Sequence, residues 1–228
     1  MPTSHQHSGH SRGRRRKNEL RKLLLEHDWT HIQHWADNNS NAFGTLSSLF
    51  FDPDRLVVWR AIDAIGRISA TSDREKVVLA LRRLFWLMND ESGGISWHAP
   101  EAIAEVLGAV PDLIAEFGQL YLSFIVEEPF EAGVCWGIRR LCELNRPNDE
   151  MREIIRKRRN VILRYLQSDD ARLRGYATLA AAGLKIPVEH DIKSRLTSDQ
   201  QQIEIYDFAS GELRMSPIAL LAESLTTN

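Results

Sequence analysis

Carboxylates and an imidazole lie on both sides of a double-glycine turn in the middle of the chain. Asp90 and Glu91 precede the two glycines, and His98 and Glu101 follow them. Oxygen and imidazole ligands of this kind suit a divalent cation. Their spacing matches no pattern diagnostic of a metal site, so we predict no metal and interpret residues 89–98 as a turn that contacts a partner.

One short segment has the written form of a hydrolase nucleophile motif. Gly9-His10-Ser11-Arg12-Gly13 satisfies G-x-S-x-G, which exposes a reactive serine only on a strand-to-helix turn of a packed sheet. Here the segment falls in a tail with almost no apolar residues. The sequence also lacks a phosphate-binding loop, a dinucleotide-binding glycine turn and a two-histidine zinc helix. We therefore predict no catalytic residues and no cofactor, and favour an interaction protein over an enzyme.

Four large rings recur along the chain at nearly constant intervals. Trp59, Trp97, Trp136 and Tyr176 are separated by 38, 39 and 40 residues, and the segments around them align. Each segment follows another amphipathic stretch with helical spacing of its apolar residues. A period of about 40 residues is typical of solenoids built from helix pairs. The sequence therefore predicts an all-α superhelix of about five helix pairs.

The recurring rings suggest two interpretations of one face of the solenoid. Trp59 lies two residues before Ala61 of the buried stripe, which places it about 200° away around the helix. The rings either pack between repeats as core, which we favour, or line a concave groove and anchor a protein partner. The candidate partner-binding residues are Trp59, Asp63, Asp90, Glu91, Trp97, His98, Glu101, Trp136, Arg139 and Arg140.

The two ends of the chain differ from its middle. Residues 1–16 are rich in Ser, His, Gly and Arg, which predicts a disordered basic tail ahead of a solenoid over residues 17–188. Within residues 189–228, alternating Ile203–Tyr206 and Leu213–Met215 predict a β-hairpin, followed by a short helix. We expect the hairpin and the helix to cap the exposed end of the stack.

Charge is distributed unevenly. Residues 1–22 contain seven Lys or Arg against one Glu, a charge of +6; because the whole chain carries -2, the remainder carries -8. The basic residues Arg156, Lys157, Arg158 and Arg159 form a weaker candidate site for nucleic acid, which the acidic body disfavours. No apolar run approaches the length of a membrane span and no secretory signal is visible. We therefore expect a cytoplasmic protein without a membrane partner.

Several segments resemble known repeats. Asp52-Pro53-Asp54 through Gly66 is similar to the second helix of a HEAT or phycobilin-lyase-type HEAT-like repeat, and the similarity covers most of residues 20–185. The stretch from Leu84 to Gly94, with Trp97, the segment 99–102 and the hairpin, resembles a HEAT-repeat family of anaerobic sulfate-reducing bacteria that has no assigned activity. The resemblance implies the fold and leaves the function open.

Two functional hypotheses follow. The leading one is a non-catalytic scaffold that contacts a protein partner through the concave face and the turn at 89–98. The alternative is nucleic-acid binding or base excision, because HEAT-like DNA glycosylases have a similar size and use Trp, Asp and Arg in a groove. Trp59 and Asp63, four residues apart, with Arg139 or Arg140, could imitate that arrangement.

Overall fold

A computed structural model describes residues 6–89, 96–146 and 149–227 of the chain. The described residues form helices and one antiparallel hairpin, which confirms the predicted fold class. The helices are α1 (Gln6–Glu26), α2 (Trp29–Asp37), α3 (Ala42–Ser48), α4 (Arg55–Thr71), α5 (Arg74–Met88), α6 (Ala99–Ala109), α7 (Ile114–Ser123), α8 (Glu131–Glu143), α9 (Asp149–Lys157), α10 (Arg159–Tyr165), α11 (Ala171–Gly183), α12 (His190–Leu196) and α13 (Ile218–Ala222), and the strands are β1 (Gln202–Asp207) and β2 (Glu212–Pro217).

The helices form two layers. In the inner layer α2, α4, α6, α8, α11 and α13 pack side by side in chain order. The outer layer contains α1, α3, α5, α7, the broken pair α9 and α10, and α12. Each outer helix precedes the inner helix with which it pairs, as in a HEAT-like solenoid.

Inner and outer helices bury their residues in different ways. On α4, every residue from Val57 to Gly66 is buried, and on α6 the same holds from Ala99 to Gly108. A helix that packs on one side buries only a stripe, so these two helices are covered all round. The outer helix α5 keeps the stripe pattern, burying Val77, Leu81 and Leu84 on one face.

Acidic side chains begin several helices. Asp28, Asp54 and Asp170 each accept a hydrogen bond from a backbone N–H in the first turn of α2, α4 and α11. Such caps satisfy donors that the helix itself leaves free. Before α2, His27 adopts a left-handed φ of 56°, which allows the chain to turn sharply after α1.

Residues 6–16, which the sequence predicts to belong to a disordered tail, lie in the first turns of α1 in this structure. Arg and Lys have high helix propensity, so the basic segment extends a helix whose later turns are anchored. Leu20 and Leu24 are fully buried, and Lys17 Nζ donates to the Ser48 carbonyl at 2.9 Å. The predicted domain boundary at residue 16 therefore falls inside one helix.

The prediction that Trp97 continues the row of rings is also wrong. α6 begins only at Ala99, so Trp97 lies in the preceding turn, and its side chain is 61% exposed. Trp59, Trp136 and Tyr176 lie within their helices and are buried. The aligned aromatic residue lies outside α6 because the segment between α5 and α6 is longer than the segments that precede α4, α8 and α11.

The hairpin forms where the sequence predicts it but does not cap the stack. β1 and β2 pair from Gln202 with Pro217 to Asp207 with Glu212. Among the described residues, this two-stranded sheet lies across the inner layer, with contacts to α4 and α11, whereas α13 extends the stack beside α11. The expected cap is therefore the helix alone.

Within the described residues, no single helix is long and apolar enough to cross a bilayer. Among the described residues, one pair of consecutive helical segments, Ala99–Ala109 and Pro111–Val126, is long and apolar enough when the two are taken together, and the pair is bent by 116°.

Candidate protein-binding groove

The C-terminal hairpin occupies the groove along the inner layer. Glu204, Tyr206 and Phe208 direct their side chains toward α4 and α8. Alternate residues of a strand point to one face, so Glu204 and Tyr206 of β1 share the groove face, and Phe208 follows in the turn directly after the strand. This groove is thus occupied by an extended segment of the chain itself.

Glu204 anchors the hairpin to the start of α4. Its carboxylate accepts hydrogen bonds from Arg55 Nε and Nη2 at 3.0 and 2.8 Å, and from Trp59 Nε1 at 3.1 Å. Burial opposes ionisation of this carboxyl, but the hydrogen bonds from Arg55 and Trp59 outweigh it and lower the pKa of Glu204. Glu204 therefore holds the hairpin as an anion.

Tyr206 lies at the centre of the groove. Its ring stacks on Trp59 with centroids 6.0 Å apart and planes 7° apart, and its hydroxyl donates to Asp63 Oδ2 at 3.0 Å. Asp63 is 3% exposed and also accepts from Arg67 Nε at 2.7 Å. Burial raises the pKa of Asp63 although Arg67 and Tyr206 oppose the shift. This carboxyl is therefore enclosed by protein, and both of its oxygens accept hydrogen bonds from side chains of the same chain.

Phe208 completes the contact on α8. The Arg140 guanidinium lies 3.6 Å from the centroid of its ring, and the Trp136 ring centroid lies 5.9 Å away. Arg140 Nε in turn donates to Glu105 Oε1 at 2.6 Å. Burial raises the pKa of Glu105 to about 7, against the opposing effect of Arg140. A cation–π contact and an ion pair thus link the hairpin to two inner helices.

A second polar network continues from Arg55 toward α6 and α11. Arg55 Nη1 lies 2.9 Å from His98 Nε2, and His98 Nδ1 lies 3.3 Å from Glu101 Oε1. Because a guanidinium can only donate, His98 accepts at Nε2 and carries its proton on Nδ1, toward Glu101. Arg172 Nη2 also donates to Glu101, at 2.6 Å. Despite full burial, His98 and Arg172 keep the pKa of Glu101 low.

The structure brings together some of the residues predicted as a partner site. Trp59, Asp63, Trp136 and Arg140 surround Tyr206 and Phe208, and the ring centroids of Trp59 and Trp136 are 5.3 Å apart. His98 and Glu101 belong to the adjoining network.

The remaining predicted residues lie elsewhere. Arg139 is half-buried at the rim of the groove and pairs with Glu143 at 2.5 Å. Trp97 is exposed in the turn before α6. Asp90 and Glu91 fall outside the described residues. All ten predicted residues stay candidates for partner binding, although four of them, Trp59, Asp63, Trp136 and Glu101, are at most 3% exposed in this conformation.

Sequence reasoning missed the residues that fill the groove. Glu204, Tyr206 and Phe208 belong to a hairpin that was expected at the end of the stack, and Arg172 was not singled out. The available signal was the spacing of two between an acidic and two aromatic side chains, which places Glu204 and Tyr206 on the same face of the predicted strand. The strand's burial partners, 145 residues away in the case of Trp59, carry no local sequence signal.

Part of the groove remains open beside the hairpin. An opening of about 610 Å³ lies between α8 and residues 205–209, and its charged lining residues are Arg139, Arg140 and Arg214 together with Glu143 and Asp207. β1 pairs with β2 along one edge, and no other strand pairs with it in the part of the chain that the structure describes. The opening therefore combines cationic side chains with an extended backbone.

The basic segment 156–159 does not form one continuous cationic patch. Arg156 pairs with Glu153, and Lys157 lies 3.8 Å from the same carboxylate. Arg159 Nη2 donates to the Pro187 carbonyl at 3.4 Å, so this side chain turns toward the protein.

In the described ranges, no three His, Cys, Asp or Glu side chains lie together as a metal site would require.

Comparisons with known proteins agree with this architecture. The chain is 28% identical over 168 residues to an uncharacterised protein of Archaeoglobus fulgidus, covering 71% of this chain and 84% of that protein. A designed armadillo repeat protein, YIII(Dq)4CqI, has a TM-score of 0.52 at 17% identity, covering 91% of this chain and 90% of its own. This chain has a HEAT/armadillo-like helical repeat fold.

A second solved structure is similar to this HEAT/armadillo-like fold. The designed armadillo repeat protein YIII(Dq.V1)4CPAF, in complex with peptide (KR)4, has a TM-score of 0.51 at 17% identity and covers 92% of this chain and 91% of its own. No protein-family model matches the sequence. The repeat architecture therefore rests on the structure and on these fold similarities.

Proposed function

We propose that this protein is a non-catalytic interaction scaffold that binds an extended segment of a partner protein along its inner groove. The observation that supports this proposal is the hairpin itself. Glu204, Tyr206 and Phe208 engage the inner helices through an ion pair, a buried hydrogen bond and aromatic contacts. The groove thus has the chemistry to hold extended polypeptide through alternate side chains.

The partner segment would bind in the opening that the hairpin leaves beside α8. Arg214 is exposed there, Arg139 lines the same opening while paired with Glu143, and residues 205–209 form one wall. An extended segment with carboxylate side chains satisfies both features, because it can pair with the guanidinium groups and run along the strand. A similar designed armadillo protein was solved with a peptide, (KR)4, and this precedent supports peptide binding as the general mode.

The turn before α6 supplies a second contact in this proposal. Trp97 is 61% exposed at the end of the inner layer where α4 and α6 begin. An exposed indole provides a large contact area at low entropic cost, and Trp is enriched among residues that dominate binding energy.

The geometry favours this function over base excision. The Trp59 and Asp63 pair of the alternative hypothesis lies beneath Tyr206, which stacks on the indole and donates to the carboxylate. An extruded base would have to enter between these side chains and take the place of Tyr206. Nucleic-acid binding at 156–159 is weakened by the pairing of Arg156 and Lys157 with Glu153.

Affinity capture from cells of the source organism tests the proposal. Full-length tagged protein is compared with Arg139→Glu and Trp97→Ala, with Leu220→Ser as a control because Leu220 is 56% exposed on α13, outside the groove. We expect one partner to be retained by the wild type and the control and reduced about tenfold by each groove variant. Folding of every variant is checked by circular dichroism. Equal capture by all four proteins would refute the proposed binding surface.

A further inference from the structure

A second groove lies on the outer layer, away from the hairpin. It has a volume of about 1270 Å³ and runs between the turn connecting α2 to α3, the end of α4 and the outer face of α5, with Arg16 of α1 at its edge. None of the side chains that engage the hairpin lines it. Its chemistry is therefore independent of the inner groove.

Two large apolar side chains of α5 line this outer groove. Leu79 is 66% exposed and Trp86 is 60% exposed, and both lie on the face opposite the buried stripe. Seven residues separate them, which places them on one side of the helix about 10 Å apart. They are exposed because this face of α5 points away from the inner layer against which the stripe packs. Exposed apolar residues grouped in a concavity mark interaction sites.

The walls of the outer groove carry an excess of positive charge. Arg16, Lys76, Arg82 and Arg83 line it, against Asp37 and Asp73. Lys76 pairs with Asp73 at 2.9 Å, and Arg82 lies 3.8 Å from Glu116. Over the described ranges, neither Arg16 nor Arg83 has an ion-pair partner. Two guanidinium groups are thus available to a ligand.

We propose that this outer groove binds an acidic amphipathic helix of a partner protein. Apolar side chains on one face of the incoming helix would contact Leu79 and Trp86, and flanking carboxylates would pair with Arg16 and Arg83. Charge complementarity supports the assignment, because four cationic side chains line this groove against two carboxylates, whereas residues 23–228 as a whole carry -8.

The shape and composition of the outer groove favour a polypeptide over other ligands. A lipid surface is flat or convex toward a protein, whereas Leu79 and Trp86 line a concavity. A nucleic-acid backbone requires many phosphate contacts, whereas Arg16 and Arg83 are the two cationic lining residues without an ion-pair partner over the described ranges.

Selection from a displayed library of random 16-residue peptides tests the proposal with the full-length protein. Binders of the wild type are retained only if they do not bind Leu79→Ser/Arg83→Glu, a double variant confined to exposed positions. The selected peptides are synthesised and their affinities measured by fluorescence anisotropy. Arg214→Glu serves as the matched control, because it alters the inner groove and leaves the outer groove unchanged.

We expect the selected peptides to be rich in Asp and Glu with apolar residues at helical spacing. Their affinity should fall at least about tenfold for Leu79→Ser and for Arg83→Glu, and stay unchanged for Arg214→Glu. An equal loss with Arg214→Glu would overturn the assignment to the outer groove, because Arg214 lines only the inner groove, and so would a selection that yields no binder. Peptides without acidic enrichment would also overturn it.

Three further measurements test whether the outer groove binds a ligand other than a partner helix. Duplex DNA, vesicles of anionic phospholipid and the protein itself at increasing concentration are tested with the same Leu79→Ser/Arg83→Glu variant. If any of them binds through the outer groove while no acidic peptide does, the assignment to a partner helix is wrong.

Discussion

Replacing Glu204 by alanine should loosen the hairpin by a predictable amount. The change leaves the buried Trp59 Nε1–H without an acceptor, which costs about 1–3 kcal/mol. Arg55 has a 42% exposed side chain and regains water, so its lost ion pair adds only about 0.5–1 kcal/mol. We expect the free energy of unfolding to fall by about 1.5–4 kcal/mol. For a chain of 228 residues this lowers Tm by about 3–16 °C.

Glu204→Gln is the matched control for this prediction. The amide oxygen can still accept from Trp59 Nε1, while the charge that pairs with Arg55 is lost, so the cost should be about 1 kcal/mol. Urea unfolding followed by far-ultraviolet circular dichroism measures both variants. Amide hydrogen exchange should show faster opening of residues 202–217 in Glu204→Ala.

Two results would refute this reasoning. If Glu204→Ala and Glu204→Gln cost the same, the unpaired indole N–H is not the main source of the lost stability. If neither variant changes exchange in residues 202–217, Glu204 does not hold the hairpin in the groove, and the anchoring of β1 rests on its apolar contacts alone.

Three other predictions concern the packing and electrostatics of the core. A methyl group at Gly137 would collide with the Tyr121 hydroxyl, so Gly137→Ala should cost more than about 2 kcal/mol, and Tyr121→Phe should recover part of that loss in thermal melts; no recovery would contradict the packing. Because the pKa of Glu105 is raised from 4.5 to about 7, the folded state binds a proton that the unfolded chain releases, and stability should fall as pH rises through that interval. Glu105→Gln should flatten that fall in urea midpoints at pH 5 and 7.5, and an unchanged slope would refute the assignment. Burial raises the pKa of the Cys135 thiol, so iodoacetamide should label it at pH 8 only after unfolding, as mass spectrometry would show; rapid labelling of the native protein would be inconsistent with this burial.

Local patterns in the sequence were sufficient to predict the secondary-structure elements and their repetition along the chain. The apolar stripe of α5 and the break at His27 follow from helical spacing and turn chemistry within a few residues. The alternation of Ile203–Tyr206 likewise predicts a strand, and the structure contains it. The approximate 40-residue period identified the solenoid, because each helix pair must bury its apolar face against the next.

The same patterns predicted only part of the candidate site. Trp59, Asp63, Trp136 and Arg140 were recognised as one face, since their spacing fixes their direction on parallel inner helices. Their exposure could not be predicted, because it depends on what lies opposite them. The row of rings also failed at Trp97, since periodicity in sequence does not determine where a turn ends and a helix begins.

The sequence by itself determined that this protein consists of stacked helix pairs with a hairpin near its C-terminus, because periodicity and turn signals act over short distances. Only the tertiary structure decided that the hairpin lies in the groove. That placement depends on contacts such as Trp59 with Glu204 and Asp63 with Tyr206, which join residues 145 and 143 positions apart. Such contacts form when complementary surfaces meet in the folded chain, and neither partner has a local preference that predicts the other.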